Sequence, residues 1–191
     1  MYPTKMYFDL DFWMQSLNSD ANLVVKQFVA IVRRYCTIYL GLNPSEDSVI
    51  VLNSSKGFKK SFHLVFTSVV FENNTCCKQF VDKLLSRLSS IELDQMSYID
   101  VNNCKKIIVD RKVYSRNQNF RILYSSKYGR NTPFEPLSME VITNIESFFY
   151  DSLVCGKGLT ANAVMTEDAS TLVIDKGLGK VKSTEFKLYG H

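Results

Sequence analysis

Histidine, proline and tryptophan are scarce in this chain of 191 residues, which has two His, four Pro and one Trp, and glycine stands at eight. So little Pro and Gly excludes collagen-like and low-complexity chains and leaves one ordinary globular domain with room for a short tail. One of the two histidines is the last residue, His191, which excludes a His-rich zinc site. The five cysteines (Cys36, Cys76, Cys77, Cys104 and Cys155) are odd in number, and no pair has the C-x-x-C spacing. That pattern favours a reduced, intracellular compartment over a disulfide framework. No run approaches the roughly 18 apolar residues needed to cross a bilayer. Asp9 and Asp11 fall where a signal peptide requires an apolar stretch, so no membrane partner is expected.

What is present is ample material for a core, with 46% of residues apolar and 22% charged. A chain of this length buries roughly two-thirds of its unfolded surface, so a bound metal would serve chemistry rather than stability. Net charge is +4, unevenly spread. Residues 105–130 hold eight basic side chains against the single acid Asp110, a local +7 that leaves the rest of the chain at −3. Such a segment suits phosphate.

Periodicity places the elements. Residues 6–12 alternate, with Phe8, Leu10 and Phe12 on one strand face and Asp9 and Asp11 on the other. Ser19 or Asp20 caps a helix to about Leu40, with Leu23, Val24, Phe28, Ile31, Val32 and Tyr35 at helical spacing and Gly41 ending it. Strands are expected at 48–52 and 61–67, the second burying Phe62, Leu64 and Phe66 and leaving Ser61 and His63 on the opposite face. A helix over 75–88, short strands at 98–101 and 106–110, a strand at 119–125 and a helix over 138–153 follow. Thr171–Asp175 is a weaker strand candidate among scattered glycines. This order predicts an α+β sandwich with helices on one face of a largely antiparallel sheet.

Three features bear chemistry. Two carboxylates at i and i+2 of a strand share a face with Cα atoms roughly 6–7 Å apart, close enough to share divalent cations. Taken alone, Asp9 and Asp11 are read first as two solvated acids on an exposed strand face and only second as metal ligands. Ser61 and His63 lie beside a loop carrying Lys56, Lys59 and Lys60, which fits a phosphate pocket or a structural histidine about equally. Asp110 ends the apolar run 107–109, where it can complete a three-carboxylate metal site or pair with Arg111 or Lys112. Tyr114, Phe120, Tyr124 and Tyr128 interleave with the basic residues, a composition suited to single-stranded nucleic acid, although some must be core.

The ordered motifs YFDLDF (7–12), KKSFHLVF (59–66) and IVDRKVYSRNQNFRILYSSKYGR (108–130) resemble the archaeo-eukaryotic primase superfamily, and within it the primase-polymerases. The resemblance covers residues 6–155 and implies the RRM-like catalytic module of that fold, a mixed or antiparallel sheet with flanking helices. It implies a DNA-directed primase/polymerase that transfers nucleotides by a two-metal mechanism, in replication restart and DNA damage tolerance. Asp9, Asp11 and Asp110 would be the catalytic, metal-binding carboxylates, with Mn2+ or Mg2+ as cofactor. Lys59, Ser61, His63, Arg121 and Lys127 would contact the nucleoside triphosphate, and Arg111, Lys112, Arg116 and Arg130 the nucleic acid. Implied partners are single-stranded or primed DNA template and nucleoside triphosphates, with single-strand-binding proteins reached through regions outside this chain. The nucleus or mitochondrion is the implied location.

Gln118 stands where the family usually has arginine, and Asp11 where vertebrate members often have glutamate. Residues 1–155 are expected to be a catalytic module lacking most of the family's N-terminal lobe. Residues 156–191 match no motif, and no zinc domain is expected there. The alternative from a different class is a noncatalytic or fragmentary single-stranded nucleic-acid-binding module.

Overall fold

Alternating side chains make the first strand a divider between two environments. In the computed structural model, which describes residues 2–14, 20–116, 118–139, 142–156 and 158–163, β1 runs Thr4–Trp13 and fully buries Met6, Phe8, Leu10 and Phe12 on one face. Helix α1 (Ala21–Leu40) packs on that face, with the Phe8 and Phe28 rings edge to face at 5.0 Å and Cys36 Sγ 3.9 Å from Met6 Sδ. The Asp20 side chain accepts the Asn22 N–H and starts the helix, and Gly41 at φ 64° ends it. Leu23, expected in the buried stripe, is exposed because the stripe that meets the sheet begins at Val25.

β2 (Val49–Asn53) and β3 (Lys59–Phe71) extend the sheet, α2 (Asn74–Arg87) and α3 (Ser90–Gln95) follow, and β4 (Ser97–Ile99) with β5 (Lys105–Ile107) forms a separate hairpin. β6 (Glu135–Pro136) completes the main sheet in the order β1-β3-β2-β6, antiparallel throughout, and α4 (Ile145–Ser152) is the last helix of the described residues. The α+β architecture with an antiparallel sheet and flanking helices is therefore as the sequence predicts.

β1 sits at the edge of the sheet, and its outer backbone groups are taken up by other segments, which removes a template for aggregation. Lys5 N–H donates to Val154 O (2.8 Å), Asp11 N–H to Ile108 O (2.9 Å) and the Tyr114 hydroxyl to Tyr7 O, while Asp110 N–H donates to Asp9 O (2.8 Å).

The second face of the sheet is roofed by the 111–134 segment. Tyr114, Leu123 and Phe134 are buried in it, and Phe120 meets Tyr7 edge on at 4.7 Å. This corrects the expected strand at 119–125, which does not form. The residues that segment sends toward the sheet, Phe120 and Leu123, are three apart rather than two. Its backbone turns instead, with Tyr124 at φ 60°, Ser125 N–H bonded to Ile122 O and Tyr124 N–H to Phe134 O. The roof also explains why Ser61 and His63, expected on an outward face, are 5% and 2% exposed.

The helix expected over 138–153 is confined to Ile145–Ser152, because Asn144 is extended (φ −141°) and caps it by accepting the Ser147 N–H. Ser19, His191 and the Thr171–Asp175 strand candidate lie outside the described residues.

Candidate active site

Strand register brings the motifs together. Across β1 and β3, Asp9 faces His63, Asp11 faces Ser61 and Trp13 faces Lys59. Directly opposed residues point to the same side of a sheet, so each acid has a partner from the Ser-x-His strand. On the other edge of β1, Leu10 bridges Val109 on the core side, which sets Asp110 opposite Asp9 on the site face. His63, Asp9 and Asp110 thus form a row across three neighbouring segments.

The carboxylates are held but incompletely bonded. Asp11 Oδ2 accepts from Lys59 Nζ at 3.1 Å, and Asp9 Oδ1 lies 3.7 Å from His63 Nε2. Asp9 Oδ1, Asp11 Oδ1 and Ser61 Oγ are buried with no hydrogen-bond partner among the described residues. Buried unpaired polar atoms are costly, and their concentration at one place marks a site built for something else. Two anionic oxygens side by side suit a hard divalent cation such as Mg2+ or Mn2+. Asp110 shares their face, but its Oδ1 accepts the Lys112 N–H at 2.9 Å and caps the 3-10 turn Arg111–Tyr114. Among the described residues no three acidic, His or Cys side chains converge as metal ligands.

His63 is fixed on all sides. Its ring is stacked between Phe120 (centroids 3.9 Å apart, 17° between planes) and Phe134 (3.7 Å, 27°). Nδ1 lies 3.0 Å from Arg121 O. A carbonyl can only accept, so Nδ1 carries a proton and Nε2 is the atom presented toward Asp9. The Arg121 guanidinium lies over Phe134, Cζ 4.2 Å from the ring centroid. Burial lowers the pKa of Arg121, while Asp9 and Asp11 act in the opposite direction.

Beside this row is a cleft of about 70 Å³ lined by Ser54, Lys56, Lys59, Ser61, Arg121, Lys127, Arg130 and Thr132. Five cations around so small a space make an anion site. The cleft gathers four of the five residues expected at the nucleotide, Lys59, Ser61, Arg121 and Lys127, with His63 behind it. Arg130, expected on nucleic acid, belongs here too. Lys56, Ser54 and Thr132 were not among the expected site residues. Lys56 had a signal, since it lies in the basic loop before Ser61, but Ser54 and Thr132 are ordinary loop residues in the sequence.

The rest of the basic segment does not form one surface. Lys105 pairs with Asp94, Lys106 with Asp100 (2.7 Å) and Arg111 with Asp82. Lys112 and Arg116 are exposed, Arg116 lining a separate cavity of about 370 Å³ with Tyr7, Asn119 and Phe120. Of the four interleaved aromatics, Tyr114 is buried, Phe120 is half-buried, and Tyr124 and Tyr128 are exposed.

Among known proteins, the chain is 27% identical to the DNA-directed primase/polymerase protein of Danio rerio over 204 residues, covering 86% of this chain and 39% of that protein. It is 26% identical to the proteins of the same name from Gallus gallus (79% of this chain, 39% of that protein) and Homo sapiens (78% and 40%). The chain spans about two-fifths of the length of these relatives. The family profile described as "C962R protein N-terminal AEP domain" matches residues 2–139, which takes in both opposed strands, the Asp110 segment and the residues of the cationic cleft. With most of its length under that profile, the chain belongs to this family, within the archaeo-eukaryotic primase superfamily.

Proposed function

We propose that the chain is the nucleotidyl-transfer module of a DNA-directed primase/polymerase. The observation that carries this reading is the strand register, which sets Asp9, Asp11, Ser61, His63 and Asp110 on one face beside a cleft walled by five cations. The names and coverage of the relatives support it. In such a reaction a 3′-hydroxyl gives up its proton to solvent, its oxygen forms a bond to the α-phosphorus of a nucleoside triphosphate, the bond to the bridging oxygen breaks, and pyrophosphate leaves with that electron pair.

Each group has a role suited to its position. Asp9 and Asp11 would hold Mn2+ or Mg2+ through the oxygens left without partners, and Asp110 would join them once its carboxylate leaves the Lys112 amide. Ions held there would supply positive charge against the negative charge that develops on the reacting phosphate. Lys59, Arg121 and Lys127, with Lys56 and Arg130, would neutralise the triphosphate as charge builds on the departing phosphates. Ser61 Oγ is available to donate to a phosphate oxygen. His63 Nε2 is directed at Asp9 (3.7 Å), its other nitrogen committed to the backbone. Lys112, Arg116 and, less strongly, Arg111 would track the phosphates of a single-stranded or primed template.

Incorporation of labelled nucleotide on a primed single-stranded template, with and without Mn2+, tests the reading. Metal-dependent incorporation by the chain, abolished in Asp9→Asn, is the expected result. An Asp9→Asn variant with full activity sinks the carboxylate assignment. Salt-sensitive DNA binding with no incorporation in any metal assigns the chain to noncatalytic single-strand binding instead.

A further inference from the structure

The nucleotide cleft is backed by a stacked column in which two phenylalanines, Phe120 and Phe134, alternate with His63 of the Ser-x-His strand and Arg121 of the basic segment. Two rings stacked within 4 Å of one imidazole centroid cannot share a face, so Phe120 and Phe134 take opposite faces of His63. The guanidinium of Arg121, 4.2 Å from the Phe134 centroid, must likewise take the face of Phe134 that the imidazole leaves open. The order is therefore Phe120, His63, Phe134, Arg121, with Tyr7 closing the first end edge on at 4.7 Å.

We propose that Phe134, with Phe120, is a positioning residue for the triphosphate cleft, holding the His63 ring and the Arg121 guanidinium in their ligand-bound geometry before nucleotide arrives. This rests on reading the cleft as the triphosphate site. Arginine is a long side chain with much rotamer freedom to lose on binding a phosphate, and a face to lie on removes that loss in advance. Stacking fixes the plane of the imidazole, and the Nδ1 contact to Arg121 O fixes which edge points at the site. One backbone carbonyl and one side chain of the same arginine therefore lock two members of the column together. Phe134 is anchored in turn, its N–H donating to Ser125 O (3.2 Å) and its carbonyl accepting from Tyr124 N–H (2.8 Å). The next wall of the cleft is tied to the same stretch, with Ser54 Oγ donating to Thr132 O at 2.7 Å. Phe134 is fully buried and reaches no bulk solvent, so it acts through its neighbours.

The test compares Phe134→Leu with Phe71→Leu, an equally buried phenylalanine whose ring lies tilted against Phe80 (centroids 5.6 Å apart) and outside the cleft lining. Calorimetric titration of the full chain with a deoxynucleoside triphosphate and Mn2+ gives affinity, and thermal denaturation gives stability. Phe134→Leu should weaken nucleotide binding by about tenfold, while Phe71→Leu lowers the melting temperature comparably and changes affinity less than about twofold. In a His63→Ala/Arg121→Ala background, Phe134→Leu should cost no further affinity. The chain has only two histidines, so the His63 ring protons are readily assigned by NMR. Their ring-current shifts should collapse in Phe134→Leu without any nucleotide present. Phe120→Leu, at a half-buried position, carries the same comparison if Phe134→Leu does not fold.

Equal affinity losses at positions 71 and 134, or an undiminished loss in the double-variant background, overturn the proposal and leave Phe134 as packing. A wild-type chain that binds no triphosphate overturns the reading of the cleft itself. Binding that depends on Arg121 but not on Phe134 overturns the column alone.

Discussion

At the residue scale, Asp110 has two duties that a single substitution can separate. Its Oδ1 caps the 3-10 turn through the Lys112 amide, and its charge joins those of Asp9 and Asp11 as the third negative one on the site face. Asparagine retains an acceptor oxygen for the amide and loses the charge, whereas alanine loses both. Asp110→Asn should therefore keep the wild-type melting temperature while incorporation falls by at least a hundredfold. Asp110→Ala should lose the same activity and in addition about 1 kcal/mol of stability, the usual cost of losing a capping residue. A fully active Asp110→Asn chain in a primer-extension assay restricts Asp110 to the cap. The same reasoning predicts that Mn2+ raises the melting temperature of the wild-type chain, because a ligand that binds only the folded state stabilises it. That increment should vanish in Asp9→Asn.

At the element scale, α3 is only six residues long and depends on its first turn. Ser89 and Glu92 form a reciprocal capping box, the Ser89 N–H donating to Glu92 Oε2 at 2.9 Å, and Arg34 of α1 pairs with the same carboxylate. Burial works to raise the Glu92 pKa, but the Ser89 hydrogen bonds and the Arg34 charge outweigh it and hold the carboxyl below its ordinary value of 4.5. A carboxylate depressed in the folded state stabilises above its unfolded pKa, and that contribution is lost as pH falls from about 4.5 through the folded value. Glu92→Gln should thus lower stability at pH 7 by about 1 kcal/mol, and the gap between variant and wild type should close in the acid range. Melting curves taken between pH 7 and pH 3 check this, and a gap that stays constant with pH removes the charge from the explanation. Tethering α3 in this way matters to the site, because Met96 at its end accepts the Ile108 N–H that leads into Val109 and Asp110.

At the scale of the whole molecule, the basic segment is divided between jobs. Lys105, Lys106 and Arg111 are paired with acids of α3, the hairpin and α2 respectively, Arg121, Lys127 and Arg130 wall the cleft, and Lys112 and Arg116 are exposed. If a single strand crosses this surface, each phosphate contact removed should lower the slope of log affinity against log salt by about 0.7. Lys112→Ala and Arg116→Ala should each show that change in a fluorescence titration with oligothymidine. Arg111→Ala should show less, since Asp82 already neutralises part of its charge. A larger effect at Arg111 than at either neighbour places the strand along α2 instead.

Local periodicity alone determines a good part of this protein. The alternation of Phe8, Leu10 and Phe12 around two aspartates, the helical stripe ending at Gly41, and the Ser-x-His strand all depend on it, and so does the antiparallel α+β class that follows from their order. The motifs also point to the residue types that gather at the site, because anion binding and metal binding require particular side chains wherever they occur. What the chain by itself leaves open is pairing. Opposing Asp9 to His63 and Asp11 to Ser61 needs a strand register chosen over a separation of about fifty residues, and a shift by one residue would turn every side chain to the other face. Likewise, the 119–125 stretch reads as a strand by composition, but it buries Phe120 and Leu123 at a spacing of three to roof the site. Phe134 sits between Pro133 and Pro136, with no periodic partner to mark it. Its place as the shared platform of His63 and Arg121 exists only once the sheet has brought those two residues to it, because stacking depends on three-dimensional neighbours rather than on neighbours in sequence.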